Sequence, residues 1–241
     1  MKKLSSPVFT PLNRGKLTDQ VISQIKSFIF SQGIKVGEKL PSERELAEQL
    51  KISRSVVREA LGTLQQSGLI EIRRGRGAGA FVVEHLHKPL LNAAADLMKS
   101  GKLDVNQFME ARRAIACFAL EQSIDKITEA DANKLEEINE ELLRNIDDDL
   151  KTAENSALFH LTLVQCAGNP LLTIMLQSLL DLMVEIRLQH PELPSFKRRV
   201  YETHQAMIRA IRQKDWGACR QLLGVHIDRL KELQVRKKTT T

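Results

Sequence analysis

At 241 residues the chain is long for one compact domain and comfortable for two. Hydrophobic residues at 42% support sizeable cores, while aromatics at only 4% point to helical packing built on Leu, Ile and Ala. No signal peptide, lipidation signal or membrane-length apolar run is present, which argues against a membrane protein and makes the cytoplasm the expected compartment.

The formal charge of +6 is unevenly spread. Residues 1–90 hold 15 Lys and Arg against 8 Asp and Glu, whereas the remainder is nearly balanced at 21 against 22. A basic surface confined to one part of a chain is the electrostatic footprint of phosphate binding. Cys117, Cys166 and Cys219 are far apart, form no CxxC and are odd in number, so reduced thiols are expected rather than a disulfide framework.

In chain order, residues 1–16 are polar, contain Pro7, Pro11 and Gly15, and read as a loose arm. Thr18 can cap a first helix in which Val21, Ile25, Phe28 and Ile29 share a face, ending near Gly33. Residues 34–39 fit a short connector. Ser42, with Glu45 three residues on, then forms a capping box ahead of Leu46, Ala47 and Leu50. After the break at Lys51-Ile52, Ser53 can cap another helix, with Ile52 and Val57 placed as a hydrophobic staple. Val57, Ala60, Leu61 and Leu64 recur at i, i+3, i+4 and i+7, which buries that face and turns Arg54, Ser55 and Arg58 outward. Two short helices around a tight turn describe a helix-turn-helix with its reading helix second, or else an ordinary helical hairpin with a solvated charged face. The next segment favours the former. Gly68 stops the helix, and the strand patterns Leu69–Arg73 and Ala80–Val83 flank the basic, glycine-rich tip Arg74–Gly79, so a β-hairpin wing is predicted.

The runs PSERELAEQLKISRSVVREAL and GLIEIRRGRGAGAFV resemble the winged-helix domain of the GntR family of bacterial transcription regulators over roughly residues 17–83. The tip is one residue longer and richer in arginine than is usual there. The resemblance implies a homodimer on a pseudo-palindromic operator in double-stranded DNA. Ser53, Arg54, Ser55 and Arg58 would stand at the major groove, Arg44 would reach the same half-site, and Arg76 and Gly77 would enter the minor groove.

Residues 84–89 form a candidate hinge, with His85, His87 and Pro89 opposing a helix. Beyond it a 3.6-residue rhythm predicts helices over 91–98, 105–124, 128–146, 152–166, 170–189, 194–213 and 216–235. Thr128, Asn169 (with Pro170 behind it) and Asp215 are the expected caps, and Asp147–Asp149 marks a turn. The fold class is therefore mainly α: a winged helix-turn-helix of three helices and a β-hairpin, then an all-helical bundle over residues 90–235 and a basic tail at 236–241.

His160, His204 and His226 each lie on or beside an apolar helical face and should point inward. They are either three separate hydrogen-bonded core histidines or one convergent site for a divalent cation, which three neutral imidazoles would suit in the zinc, nickel or copper class. Segments 156–160, 167–170, 203–211 and 218–226 are similar to the effector domain of FadR-type GntR regulators, the FCD type. Its metal-binding members use three such histidines and an Asp or Asn four residues before the first. Here Ser156 stands at that place, with Glu154 and Asn155 only nearby, and Ala116 stands where that subfamily carries a Glu four residues after the arginine of its first effector helix. That arginine matches Arg112, which would face the ligand cavity and grip a carboxylate, or else pair with Glu110 at the surface. Arg187 is a second candidate for the cavity.

The function expected is a DNA-binding regulator that senses a small organic acid, a divalent metal of the zinc or nickel type, or both, and that acts as a repressor. A pure metal sensor and a metal-dependent enzyme are the competing readings. The enzyme is disfavoured because no HExxH, nucleophile elbow or phosphate loop accompanies the histidines.

Overall fold

The computed structural model describes residues 14–31, 34–189 and 192–235. The chain divides after Pro89 into two compact units.

In the first unit, α1 (Arg14–Ser31) carries Val21, Ile25 and Ile29 one turn apart along its buried stripe. The stripe packs on α3 (Arg54–Gln66), whose Val57, Ala60, Leu61 and Leu64 are all buried as the spacing requires. Val56 is buried as well, widening that face. The short α2 (Glu43–Leu50) opens on the predicted capping box, Ser42 and Glu45 each bonding the other's backbone N–H. It ends at Lys51, which takes the left-handed conformation at φ +53° and so turns the chain into α3 within three residues. Ser53 caps α3.

Strands β1 (Ile70–Arg73) and β2 (Gly79–Val82) form the antiparallel wing in the register Ile70↔Val82 and Arg73↔Gly79. The segment expected as a plain connector does more. Gly37, Glu38 and Leu40 exchange backbone hydrogen bonds with Ala80 and Val82, so the open edge of β2 is paired rather than bare. Gly68 fits where no side chain would. At φ +73° a β-carbon there would lie 2.1 Å from the carbonyl oxygen of His85.

The second unit holds α5 (Val105–Ser123), α6 (Glu129–Arg144), α7 (Asp149–Gln165), α8 (Pro170–Leu188), α9 (Pro194–Arg212) and α10 (Trp216–Val235). Each boundary lies within three residues of its sequence-based position. Asp104 and Thr128 make capping boxes with Gln107 and Asp131, and Asn169 caps α8 ahead of Pro170. Helix α5 packs on α7, α8 and α10, and α6 on α7 and α9. Phe108, Met109, Leu135, Phe159, Met207 and Leu223 fill the shared interior, to which α4 (Lys88–Lys99) adds Ala94 and Ala95.

Two expectations are corrected. Helix α1 begins at Arg14, four residues before the expected cap, and Thr18 is buried within it. A threonine inside a helix can serve its hydroxyl locally, so its capping preference is a weak stop. Lys88 and Pro89 are the first two residues of α4, not part of an extended hinge. Proline there forfeits only an N–H that has no helical partner anyway. The rest of the expected arm, Gly33 and the basic tail lie outside the described residues.

Candidate functional site

The α2–α3 corner positions the exposed basic side chains of the first unit. Arg54 and Arg58 are one turn apart on the outer face of α3, and Ser55 lies between them with its hydroxyl 2.8 Å from that of Ser53. Arg58 is not loose. Its Nε and Nη2 donate to both oxygens of Glu43 at 2.8–3.2 Å, while Arg54 Nη2 stands 4.0 Å from the same carboxylate. The hydrogen bonds from Arg58 hold the Glu43 carboxyl below the usual carboxylate range. Arg44, one residue further along α2, lies 3.9 Å from Glu48.

On the wing, Arg73 bonds Glu71 and lies 4.4 Å over the Phe81 ring. Arg74 and Arg76 remain exposed at the tip, beside Gly75 and Gly77, whose positive φ values shape the turn. Glu43 was not singled out from sequence. It is fifteen residues from Arg58, and only the crossing of α2 over α3 brings the two together.

Inside the bundle, α7, α9 and α10 bring His160, His204 and His226 together. Their candidate donor nitrogens all lie within 4.8 Å of one another, and the three residues are at most 3% exposed. Nε2 of His160 and Nε2 of His226 are 2.9 Å apart, so they share one proton. Phe159 stacks flat on the His204 ring at 4.0 Å and 2°. Burial pushes His204 down to about 3, helped by the nearby charges of Arg187 and Arg112. Burial also holds His160 and His226 well below the ordinary imidazole value, so all three rings are neutral at neutral pH. Among the described residues this donor group contains no carboxylate. Ser156 is buried one turn before His160, while Glu154 points outward.

Arg112 decides between its two readings. It is 2% exposed, and Glu110 lies on the solvent side of the helix, so the surface ion pair does not form. Nε and Nη1 of Arg112 have no hydrogen-bond partner. Desolvation, with repulsion from Arg187, lowers its pKa to about 9, which still leaves it charged at neutral pH. Arg187 reaches the same cavity wall but is already held by Glu192 through two bonds of 2.7 and 2.8 Å. The space bounded by Arg112, Ser156, Met183 and Arg187 is about 10 Å³, room for about one water. Glu192 also escaped sequence reading, because nothing in the spacing of a loop residue reveals its partner.

Residues 17–80 match the family described as bacterial regulatory proteins, gntR family, and residues 107–229 match the FCD domain. The chain belongs to the GntR family. The HTH-type transcriptional repressor NanR of Enterobacter sp. (strain 638) is 30% identical over 229 residues, covering 90% of this chain and 85% of NanR. The HTH-type transcriptional regulator LutR of Bacillus subtilis (strain 168) is 29% identical over 208 residues, covering 83% of this chain and 93% of LutR. Among solved structures, Streptococcus agalactiae GntR superposes with a TM-score of 0.65 at 25% identity, over 89% of this chain and 99% of that one. This GntR member is a DNA-binding transcriptional regulator with an FCD domain, not an enzyme. No helix among the described residues is long and apolar enough to cross a membrane.

Proposed function

We propose that this GntR regulator is a cytoplasmic homodimeric repressor whose bundle senses a small organic acid, with His160, His204 and His226 able to hold a divalent cation beside it. The observation that carries the reading is Arg112: a buried, charged guanidinium with two donor nitrogens left unpaired. Such a group is costly unless an acceptor arrives, and a carboxylate is the acceptor its fork fits best. The three neutral imidazoles fit a zinc- or nickel-type ion, and the bare Nε2 of His204 is an open donor for it. A bound cation would supply positive charge to polarise and anchor an acid's oxygen. Since the space beside Arg112 takes about one water, an acid must widen it to bind, and that movement would couple occupancy to the DNA-reading heads. The same tightness favours a second reading, in which the cation alone is the signal.

On DNA, the N-terminal end of α3 would enter the major groove with Ser53, Arg54, Ser55 and Arg58 foremost. Arg44 would lie at the same half-site, and Arg76 and Gly77 would follow the wing into the minor groove. The names of the NanR relatives support repression. Selection of bound DNA from a random pool tests this part and should return a motif with two-fold symmetry. On that operator, Arg54→Ala or Arg58→Ala is expected to weaken specific binding roughly 10–100-fold. Parent-like binding by both variants would remove α3 from the interface. Separate titrations of zinc and of a panel of hydroxy- and dicarboxylic acids against operator release then distinguish acid sensing from metal sensing.

Glu43→Gln carries an expectation of opposite signs for two affinities. Losing a negative charge at the DNA face should tighten binding to random duplex, since phosphate attraction dominates there. Freeing Arg58 should blunt base discrimination, so the ratio of specific to non-specific affinity falls several-fold. Mobility-shift titrations on operator and scrambled duplex measure both.

A further inference from the structure

Asn139 lies on α6 with no exposed surface, where Leu135, Ile138 and Leu142 continue an apolar stripe on either side of it. Burying a primary amide there costs free energy unless every polar atom is used. Both ends are engaged. Nδ2 donates to the backbone carbonyl of Tyr201 at 3.1 Å, and Oδ1 stands 3.1 Å from Nδ1 of His204. The amide can have only this orientation, because reversing it would set its oxygen against a carbonyl that can only accept.

The consequence passes to the ring. Oδ1 accepts, so Nδ1 of His204 must carry a hydrogen. A neutral imidazole has one N–H, which leaves Nε2 as a bare lone pair. That atom has no partner and lies among the nitrogens of His160 and His226, which are engaged with each other. Phe159 against the ring face keeps the lone pair from swinging aside.

We propose that Asn139 is a positioning residue that locks His204 in the Nδ1–H tautomer and so commits its Nε2 to accepting an electrophile, a divalent cation above all, at the centre of the cluster. The cation arm rests on the metal reading above; the tautomer arm does not. This assignment matters more here than in a site with an acidic ligand, because Ser156 supplies no carboxylate and neutral imidazoles must do the holding. A ring already in its ligating tautomer has no competing state to leave.

The test is a long-range proton–nitrogen NMR spectrum of the metal-free full chain with nitrogen-15 histidine, the His204 signals being identified by their loss in His204→Gln. Zinc affinity is measured in parallel by chelator competition. The parent should show a protonated Nδ1 and an unprotonated Nε2 at His204. Asn139→Leu should mix the tautomers and weaken zinc roughly 10–100-fold, whereas Asn139→Asp, which still accepts from Nδ1–H but sets its other oxygen against the Tyr201 carbonyl and so loses stability, should restore the Nδ1–H tautomer. A protonated Nε2 in the parent overturns the proposal, as does parent-like zinc binding by a folded Asn139→Leu. If Asn139→Leu does not fold, the parent spectrum and Asn139→Asp decide alone. Should the parent show the expected tautomer yet bind no zinc, the positioning role stands and the metal reading falls.

Discussion

Arg112→Met is expected to make the ligand-free bundle more stable and, at the same time, blind to acid. In the folded chain the guanidinium is stripped of water, lacks partners at Nε and Nη1, and has its pKa depressed from the usual guanidinium range to about 9. At about 1.4 kcal/mol per unit this sets an upper bound near 5 kcal/mol on the strain of keeping it charged there. The penalty is fully present below about pH 9, hence at every physiological pH, and eases only as pH rises above it. Methionine has similar length, fills the gap flexibly and needs no partner. Replacing poorly compensated buried charge with packed apolar atoms typically gains roughly 1–4 kcal/mol. For a unit of this size that is roughly 2–16 °C in Tm.

Calorimetry of parent and variant, each with and without a saturating acid, makes the trade visible. The parent should gain stability with ligand by mass action and the variant should not. A variant that melts lower than the parent without ligand would show that Arg112 is already well served inside the bundle, and the acid-sensing reading would lose its support.

The second large effect is with pH. His160, His204 and His226 are buried neutral, His204 with a pKa near 3, whereas in the unfolded chain each titrates at about 6.5. Below about pH 6.5 the unfolded chain takes up protons that the folded one refuses, so folding stability falls as pH falls. Above that pH the contribution is complete and flat. Each ring adds a slope of about 1.4 kcal/mol per pH unit, and the three together about 4. By pH 5 the loss reaches about 6 kcal/mol, enough to unfold a metal-free bundle at the lower end of the roughly 5–15 kcal/mol typical of domains. Trp216, the only tryptophan, begins α10 and reports on this unit alone. Denaturant melts followed by its fluorescence from pH 7.5 to pH 4.5 should show the decline, and His160→Gln should flatten it by about a third. Stability unchanged from pH 7 to pH 5 would mean that the rings are already protonated or reached by water.

Local signals of two kinds made most of the fold legible. Capping residues and apolar periodicity act within a few turns of chain, so the helices, the α2–α3 corner and the wing could be placed from residues such as Ser42, Ser53, Leu64, Asn169 and Pro170. Inward-facing histidines were also readable, because the helical repeat states which face a side chain occupies. Whether three inward faces meet is another matter, set by how α7, α9 and α10 pack. That packing brought the imidazoles of His160, His204 and His226 into one cluster. Tertiary structure elsewhere decided what no spacing encodes: α2 crossing α3 set Glu43 across from Arg58, the burial of one face of α5 shut Arg112 away from Glu110, the turn after α8 set Glu192 on Arg187, and α6 against α9 set Asn139 on His204. Asn139 did leave one trace, a polar residue interrupting the stripe of Leu135, Ile138 and Leu142. The amino-acid order thus determined the elements and their faces, since those depend on neighbours along the chain. Partnerships between charges and hydrogen-bonding groups sixty or more residues apart, as for Asn139 and His204, depend on distances in space, and only the assembled bundle sets them.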